Sequence, residues 1–188
     1  MAAPAEGRGR PAPRRAHRGG AFLTPSIRRI GPSDAAAFRG LRLAALAAHP
    51  EAFGSSYEEE AAAGPDDLRL LPSPPGFLLG GFAGPTLVAT TGVAVSPRVK
   101  QRHKGTLWGV YVDPAHRGGG IATSLVKAAV QEAREAGLRV LLLAVTLGND
   151  AAIRRYEAAG FRRVGIEPRA LCVDGRFLDE AVMALLLD

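Results

Sequence analysis

The spacing of apolar residues predicts strands alternating with helices across most of the chain. Apolar residues recurring every three to four positions predict a helix from Ser33 or Asp34 to about Ala48, an acidic helix over 55–71, and two later helices. One of these later helices follows the glycines at 118–120, and the other follows Asn149. Short apolar and β-branched runs predict strands over 26–30, 77–82, 87–95, 106–112, 139–145, 161–166 and 178–186.

The order of these segments predicts a mixed α/β sheet. The runs 77–82 and 87–95 flank a turn-forming sequence, which favours antiparallel pairing. The strand–helix–strand unit over 106–145 predicts a parallel, right-handed crossover. The segment 139–145 is almost entirely apolar, which is typical of a strand covered on both faces.

The charge of the chain divides it into two parts. The 188 residues carry a net charge of +6, and residues 1–24, with five arginines and one glutamate, account for four of those charges. The same segment is otherwise rich in Ala, Gly and Pro, so we expect a disordered basic tail and one folded domain over 25–188. Since the folded part is nearly balanced in charge, nucleic-acid binding is the least favoured interpretation.

Other features of composition narrow the class of protein further. No apolar stretch reaches the ~20 residues of a membrane span, and no apolar run follows the arginines as in a signal peptide. The single cysteine, Cys172, excludes an intrachain disulfide and fits a reducing compartment. We therefore expect a cytoplasmic protein. The histidines have no metal-ligand spacing, so no metal site is predicted.

The glycines at 118–120 are the most informative local feature. They follow a predicted strand that Asp113-Pro114 ends, and a predicted helix begins directly after them. Amides in the first turn of a helix have no intrahelical partners and lie at the positive end of the helix dipole. Glycines let an anion approach those amides closely, so a phosphate site and a ligand-free connector both fit these residues.

Two motifs give the chain a resemblance to a known family. The sequence VYVDPAHRGGGIA, residues 110–122, resembles the acetyl-CoA motif of the GCN5-related N-acetyltransferases (GNAT), with Arg117, Gly120 and Ala122 at its fixed positions. The sequence NDAAIRRYEAAGF, residues 149–161, matches the family pattern N-x-x-A-x-x-x-Y-x-x-x-G-F throughout. The two motifs occur in the family's order, and the resemblance extends over about 26–186.

The resemblance implies a GNAT-like fold, with a mostly antiparallel central sheet, a βαβ acetyl-CoA-binding core and flanking helices. It implies that backbone groups of Val110 and Val112 pair with the pantetheine arm, while amides of 118–123 surround the pyrophosphate. Arg117 and Arg154 are either phosphate contacts or solvated helix-end arginines. The implied cofactor-binding set is Val110, Tyr111, Val112, Arg117, Gly118, Gly119, Gly120, Ile121, Ala122, Thr123, Asn149 and Tyr156.

The activity implied is acetyl-CoA-dependent N-acetylation of a primary amine on a small molecule, amino acid or peptide. The amine attacks the thioester directly and passes through a tetrahedral oxyanion, for which the Val110 N–H is the expected donor. Tyr156 is expected to be the general acid that protonates the leaving thiolate, since a phenol with a pKa of about 10 is protonated at neutral pH.

The general base is less clear from the sequence. Family members that acetylate ribosomal proteins often carry a glutamate in an L-x-L-E-V segment, and here that position is Ala144. Glu58, with Glu59 and Glu60 beside it, is the candidate for binding the amine or accepting its proton, although a solvated acidic helix start fits these residues too. The missing glutamate leaves a catalytically weak CoA-binding or regulatory module as the alternative. An apolar last strand is also compatible with a homodimer.

Overall fold

The computed structural model describes residues 25–63, 72 and 74–188. The expected basic tail, residues 1–24, and the second half of the expected acidic helix, residues 64–71, lie outside the described residues. The strands are β1 (Ser26–Arg29), β2 (Phe77–Ala83), β3 (Thr86–Val95), β4 (Lys104–Val112), β5 (Val140–Thr146), β6 (Arg162–Val173) and β7 (Arg176–Leu186). The helices are α1 (Ala35–Ala48), α2 (Tyr57–Ala62), α3 (Ile121–Glu135) and α4 (Asp150–Ala158).

In the described residues, seven strands form one sheet in the order β1-β2-β3-β4-β5-β7-β6. Every neighbouring pair is antiparallel except β4 and β5, which are parallel and joined through α3. The predicted mixed, mostly antiparallel sheet with a βαβ unit is therefore confirmed. Among these described helices, none is long and apolar enough to cross a membrane.

The helices cover the two faces of the sheet unequally. On one face, α3 and α4 bury a large cluster that includes Leu125, Leu141 and Ile153. On the other face, Phe38 of α1 packs with Leu78 and neighbouring residues in a smaller cluster. Adjacent residues of a strand point to opposite faces, so the buried Leu141 and Leu143 place Leu142 and Ala144 on the α1 side.

The end of the chain differs from its prediction. Strand β6 is longer than expected and reaches Val173, because a register shift between Glu167 and Leu171 lets Pro168 and its neighbours bulge out of the ladder. Strand β7 lies between β5 and β6 and not at an edge. Ala181 and Met183 of β7 are buried in the core, whereas Leu186 is exposed. Because β7 is paired on both sides, it offers no free strand edge for a homodimer.

Asp34 lies at the start of α1 as predicted, but its carboxylate does not cap the helix. Asp34 is the N-cap residue, but its carboxylate makes no hydrogen bond to the helix amides. It accepts hydrogen bonds from the Arg28 guanidinium at 2.7 and 2.8 Å and from the Gly31 N–H at 3.0 Å. These bonds lower the pKa of Asp34 to about 2. The Asp34 carboxylate thus links Arg28 of β1 to the N-terminus of α1.

The three glutamates of α2 have three different environments. Glu58 is exposed, and Glu59 forms a reciprocal capping box with Ser56. Glu60 is buried and pairs with Arg42 of α1, with 2.7 Å between the carboxylate Oε1 and Nη2. The Arg42 guanidinium also lies 4.8 Å from the ring centroid of Phe53. This buried ion pair joins α1 to α2.

We expect Glu60→Gln to lower the free energy of unfolding by about 3 kcal/mol, because it leaves the buried Arg42 charge without a carboxylate. Urea denaturation of the two proteins measures the difference. The matched control is Glu58→Gln, an exposed neighbour in the same helix, which should change stability by less than about 0.5 kcal/mol. Equal stability of the two variants would contradict the role assigned to this pair.

Candidate active site

Among the described strands, the single parallel pair, β4 and β5, borders a cleft. β4 and β5 are hydrogen-bonded only where Lys104, Gly105 and Thr106 face residues 140–142. Beyond Thr106 the two strands are no longer paired. The cleft that begins between them has a volume of about 960 Å³. The sheet order, β4 beside β5 in the middle, therefore puts a cleft at the centre of the molecule, bounded by residues 107–112 and 144–149.

A bulge in β4 lies beside this cleft. Trp108 pairs with Gly92 and Tyr111 with Thr90, so Gly109 and Val110 together face the single residue Thr91, and β4 has one extra residue in the ladder. Gly109 has a φ of +63°, a conformation that favours glycine. Nη1 of Arg42, from the buried ion pair, is 3.9 Å from where a Cβ at Gly109 would stand. Val110 lines the cleft.

The glycine loop places helix amides at the mouth of the cleft. Gly118 and Gly120 have φ values of +89° and +78°, and Gly120 is the N-cap of α3. The first hydrogen bond of α3 runs from Ser124 N to Gly120 O at 3.0 Å, which leaves the amides of 121–123 without intrahelical partners. A Cβ at any of the three glycines would meet nothing within 4 Å. The loop is an open concave surface of N–H donors at a positive helix end.

Helix α4 contributes two predicted residues to the opposite wall. Asn149 is the N-cap of α4, where its Oδ1 accepts a hydrogen bond from Ala152 N at 3.2 Å, and its amide group lines the cleft. Tyr156 lies about two turns further on and packs edge-on against Phe161, with 6.0 Å between ring centroids. Burial raises the pKa of Tyr156 to about 12, so its hydroxyl carries a proton at neutral pH.

The wall opposite α4 contains residues that the sequence did not single out. His49 and Glu51, in and beside the Pro50–Ala52 turn after α1, line the cleft. The Arg117 side chain donates from Nε to Val112 O at 3.0 Å and from Nη2 to His49 Nε2 at 3.2 Å. Since a guanidinium only donates, His49 must accept through Nε2 and carry its proton on Nδ1, which is 3.8 Å from Glu51 Oε1.

The Pro50–Ala52 turn is fixed to β5. The Thr146 hydroxyl donates a hydrogen bond of 2.6 Å to the Glu51 carbonyl oxygen. Ala144 lies two residues earlier in β5 and therefore faces the same side. It is exposed and lines the cleft, so nothing on the strand itself fills the space beside the turn.

The structure brings most of the predicted residues together and leaves two out. The cleft is lined by Val110, Tyr111, Val112, Arg117, Gly118, Gly120, Ile121, Ala122, Thr123, Asn149 and Tyr156, with Gly119 in the same loop. Glu58 is exposed on α2 and is not among the lining residues, and Arg155 lines the cleft where Arg154 does not. Arg176, the first residue of β7, is a further lining residue. The described residues contain no group of three or more metal-ligating side chains.

Comparison with known families gives one clear result. A model described as the acetyltransferase (GNAT) family matches residues 41–161, which is more than half of the chain. The match begins in α1, includes both motifs and ends at Phe161, directly after α4.

Individual proteins match over shorter stretches. The L-methionine sulfoximine/L-methionine sulfone acetyltransferase of Salmonella typhimurium is 37% identical over 79 residues, which is 42% of this chain and 46% of that enzyme. The N-alpha-acetyltransferase RimI of Mycobacterium tuberculosis is 35% identical over 107 residues, which is 57% of this chain and 65% of that enzyme. The chain thus spans about half of the first relative and about two thirds of the second.

A solved structure extends the likeness to nearly the whole fold. It is a GNAT superfamily phosphinothricin acetyltransferase from Sinorhizobium meliloti in complex with acetyl-CoA, and it superposes with a TM-score of 0.71 over 88% of this chain and 89% of that one. The identity is 19%, so this likeness concerns the fold.

The raised pKa of Tyr156 gives a test that needs no substrate. At about pH 10 an unperturbed phenol is half ionised, whereas Tyr156 should remain protonated because its site is desolvated. We expect the phenolate absorbance of the wild-type chain and of Tyr156→Phe to be equal at that pH. A difference of half a phenolate between them would contradict the environment assigned to this side chain.

Proposed function

The chain belongs to the acetyltransferase (GNAT) family, and we propose that it transfers an acetyl group from acetyl-CoA to a primary amine of a small molecule, an amino acid or a peptide. One observation carries the proposal: unpaired amides, a bulged strand and a partly buried phenol lie around the same cleft. The names of two relatives are consistent with the proposal. One is an L-methionine sulfoximine/L-methionine sulfone acetyltransferase, and the other is an N-alpha-acetyltransferase.

The residues present fit acetyl-CoA. The open glycine surface at the start of α3 suits a pyrophosphate, because its amides point out of the helix and no side chain occupies the space. The unpaired edge of β4 beyond Thr106 suits the amide groups of a pantetheine arm, which can add to it as a short strand. Arg155 replaces Arg154 as the arginine on α4 that we assign to a phosphate.

Two groups of the chain then act on the reacting atoms. Acetyl-CoA, when bound, supplies an activated acetyl group as a thioester. The Val110 N–H, exposed by the bulge, donates to the carbonyl oxygen as that oxygen gains negative charge. The Tyr156 hydroxyl, on the opposite wall, donates its proton towards the departing sulfur.

The function is tested by a screen of acceptors. The full chain is incubated with acetyl-CoA and polyamines, amino acids, aminoglycosides or short peptides, and free thiol is measured. Turnover clearly above the rate without enzyme supports an acetyltransferase. Binding of acetyl-CoA without turnover on any acceptor would favour the alternative, a CoA-binding module on the same fold, for which the alanine at position 144 is the supporting observation.

We expect Gly120→Asp to weaken acetyl-CoA binding at least tenfold, because it adds a negative charge beside the phosphate and a side chain at a φ of +78°. Isothermal titration calorimetry with acetyl-CoA measures the effect. His116→Ala, an exposed residue two positions before the glycines, is the control and should retain wild-type affinity. Unchanged affinity in Gly120→Asp would mean that this loop holds no phosphate.

We expect Tyr156→Phe to lower kcat by about 10²-fold or more while the dissociation constant of acetyl-CoA stays within about twofold, because the variant removes only the proton donor. Steady-state thiol release and calorimetry measure the two quantities. A kcat equal to that of the wild type would show that Tyr156 is a packing residue against Phe161 and α4.

A further inference from the structure

We propose that Glu51 is the carboxylate that binds the acceptor's ammonium group and accepts its proton. This inference rests on the proposed acetyltransferase function and adds the residue that the sequence left open. Glu51 lies in the Pro50–Ala52 turn and not on a strand, and it is the only carboxylate among the described residues that line the cleft.

The other titratable side chains of the cleft cannot take a proton from an amine. The three lining arginines, Arg117, Arg155 and Arg176, are always protonated. Tyr111 and Tyr156 are phenols, and Tyr156 carries the proton assigned to the leaving sulfur. The remaining imidazole, His49, has its one free lone pair engaged by Arg117 at 3.2 Å. Among the described residues, the one ion-pairing group within 4 Å of the Glu51 carboxylate is His49, whose Nδ1 lies 3.8 Å from Oε1. That distance is beyond a hydrogen bond and leaves both oxygens available.

The backbone of Glu51 is held where an acceptor would enter. The Thr146 hydroxyl binds its carbonyl oxygen at 2.6 Å, and Ala52 N donates to His49 O at 3.0 Å, so the turn is fixed to β5 and closed on itself. The Ala144 side chain opens on the same side of β5, and its small size leaves room beside the turn. The side chain of Glu51 is 48% exposed, which gives a proton a path to solvent.

The charges around the turn favour a cation at this position. Glu180 of β7 pairs with Thr146 across the sheet, and Glu167 of β6 pairs with Glu180, so both carboxylates share the face of Thr146. Burial, and then the charge of Glu167, raise the pKa of Glu180. Against these stand the positive charges of the three arginines that line the cleft, Arg117, Arg155 and Arg176. The Arg117 guanidinium is turned to Val112 O and His49 Nε2. Because Glu51 is the one carboxylate among the described lining residues, its side chain is where a protonated amine is attracted.

The proton balance follows from these positions. An alkylammonium group has a pKa of about 10 and must lose one proton to expose the lone pair that forms the C–N bond. Glu51 takes that proton and releases it to solvent. The C–S bond breaks with its electron pair on sulfur, and Tyr156 gives the sulfur a proton. The nitrogen loses a second proton as the amide forms, and this proton restores the Tyr156 hydroxyl.

The test is Glu51→Gln, assayed as kcat/KM for the best acceptor of the wild type over a range of pH. We expect a loss of about 10²-fold near neutral pH that shrinks as the pH approaches about 10, because there the amine arrives already neutral. Acetyl-CoA affinity should be unchanged. Glu157→Gln, an exposed glutamate of α4 outside the cleft lining, is the matched control and should retain wild-type kcat/KM.

A second variant separates proton transfer from structural damage. Adding Ala144→Glu to Glu51→Gln returns a carboxylate to the same side of the cleft, so we expect it to recover at least tenfold of the lost kcat/KM. Wild-type kcat/KM in Glu51→Gln, or an equal loss at every pH, would overturn the inference and leave the acetyltransferase function standing. If the wild-type chain acetylates no amine, the proposed function fails and the inference fails with it.

Discussion

The divergence of β4 and β5 is the constraint on which the site depends. Two parallel strands that remained paired along their length would close the middle of the sheet, but here pairing ends at Thr106 and Leu142. The two strands can separate because each is held from its other side, β4 by β3 and β5 by β7. The helices that follow them, α3 and α4, then begin on the two sides of one opening. The free backbone of β4, the amides of α3 and the phenol of α4 are brought together by this single departure from regular pairing.

The two sides of the cleft carry different kinds of hydrogen-bonding groups. At the glycine loop, the donors are peptide N–H groups whose positions are set by the geometry of α3. At the Pro50–Ala52 turn, the groups are side chains whose protonation and hydrogen bonding depend on one another, as Arg117 and His49 illustrate. A ligand with phosphates suits the first environment and a positively charged amine suits the second. Under the proposed function, charge alone would therefore distinguish the two substrates.

The sequence predicted the parts of the site that are local. The glycine loop and Asn149 were identified because helix starts depend on residues within one turn, and both caps are as expected. A glycine within a strand, such as Gly109, is the kind of local sequence signal that marks a bulge. Glu51 was missed because Pro50 reads as the end of a helix, while the more obvious acidic run at 58–60 lies on α2. The bond from Thr146, 95 residues away in sequence, joins the Glu51 backbone to β5 at the cleft, and no local pattern predicts it.

The glycine loop has a consequence for how the protein responds to its surroundings. Peptide N–H groups do not titrate in any physiological range, so the donors themselves are the same in acidic and alkaline solution. Their orientation is a property of the folded α3, and it is lost when that helix unfolds. Occupancy of this loop therefore requires an intact domain, and a ligand that binds there raises the free energy of unfolding with the logarithm of the ligand concentration.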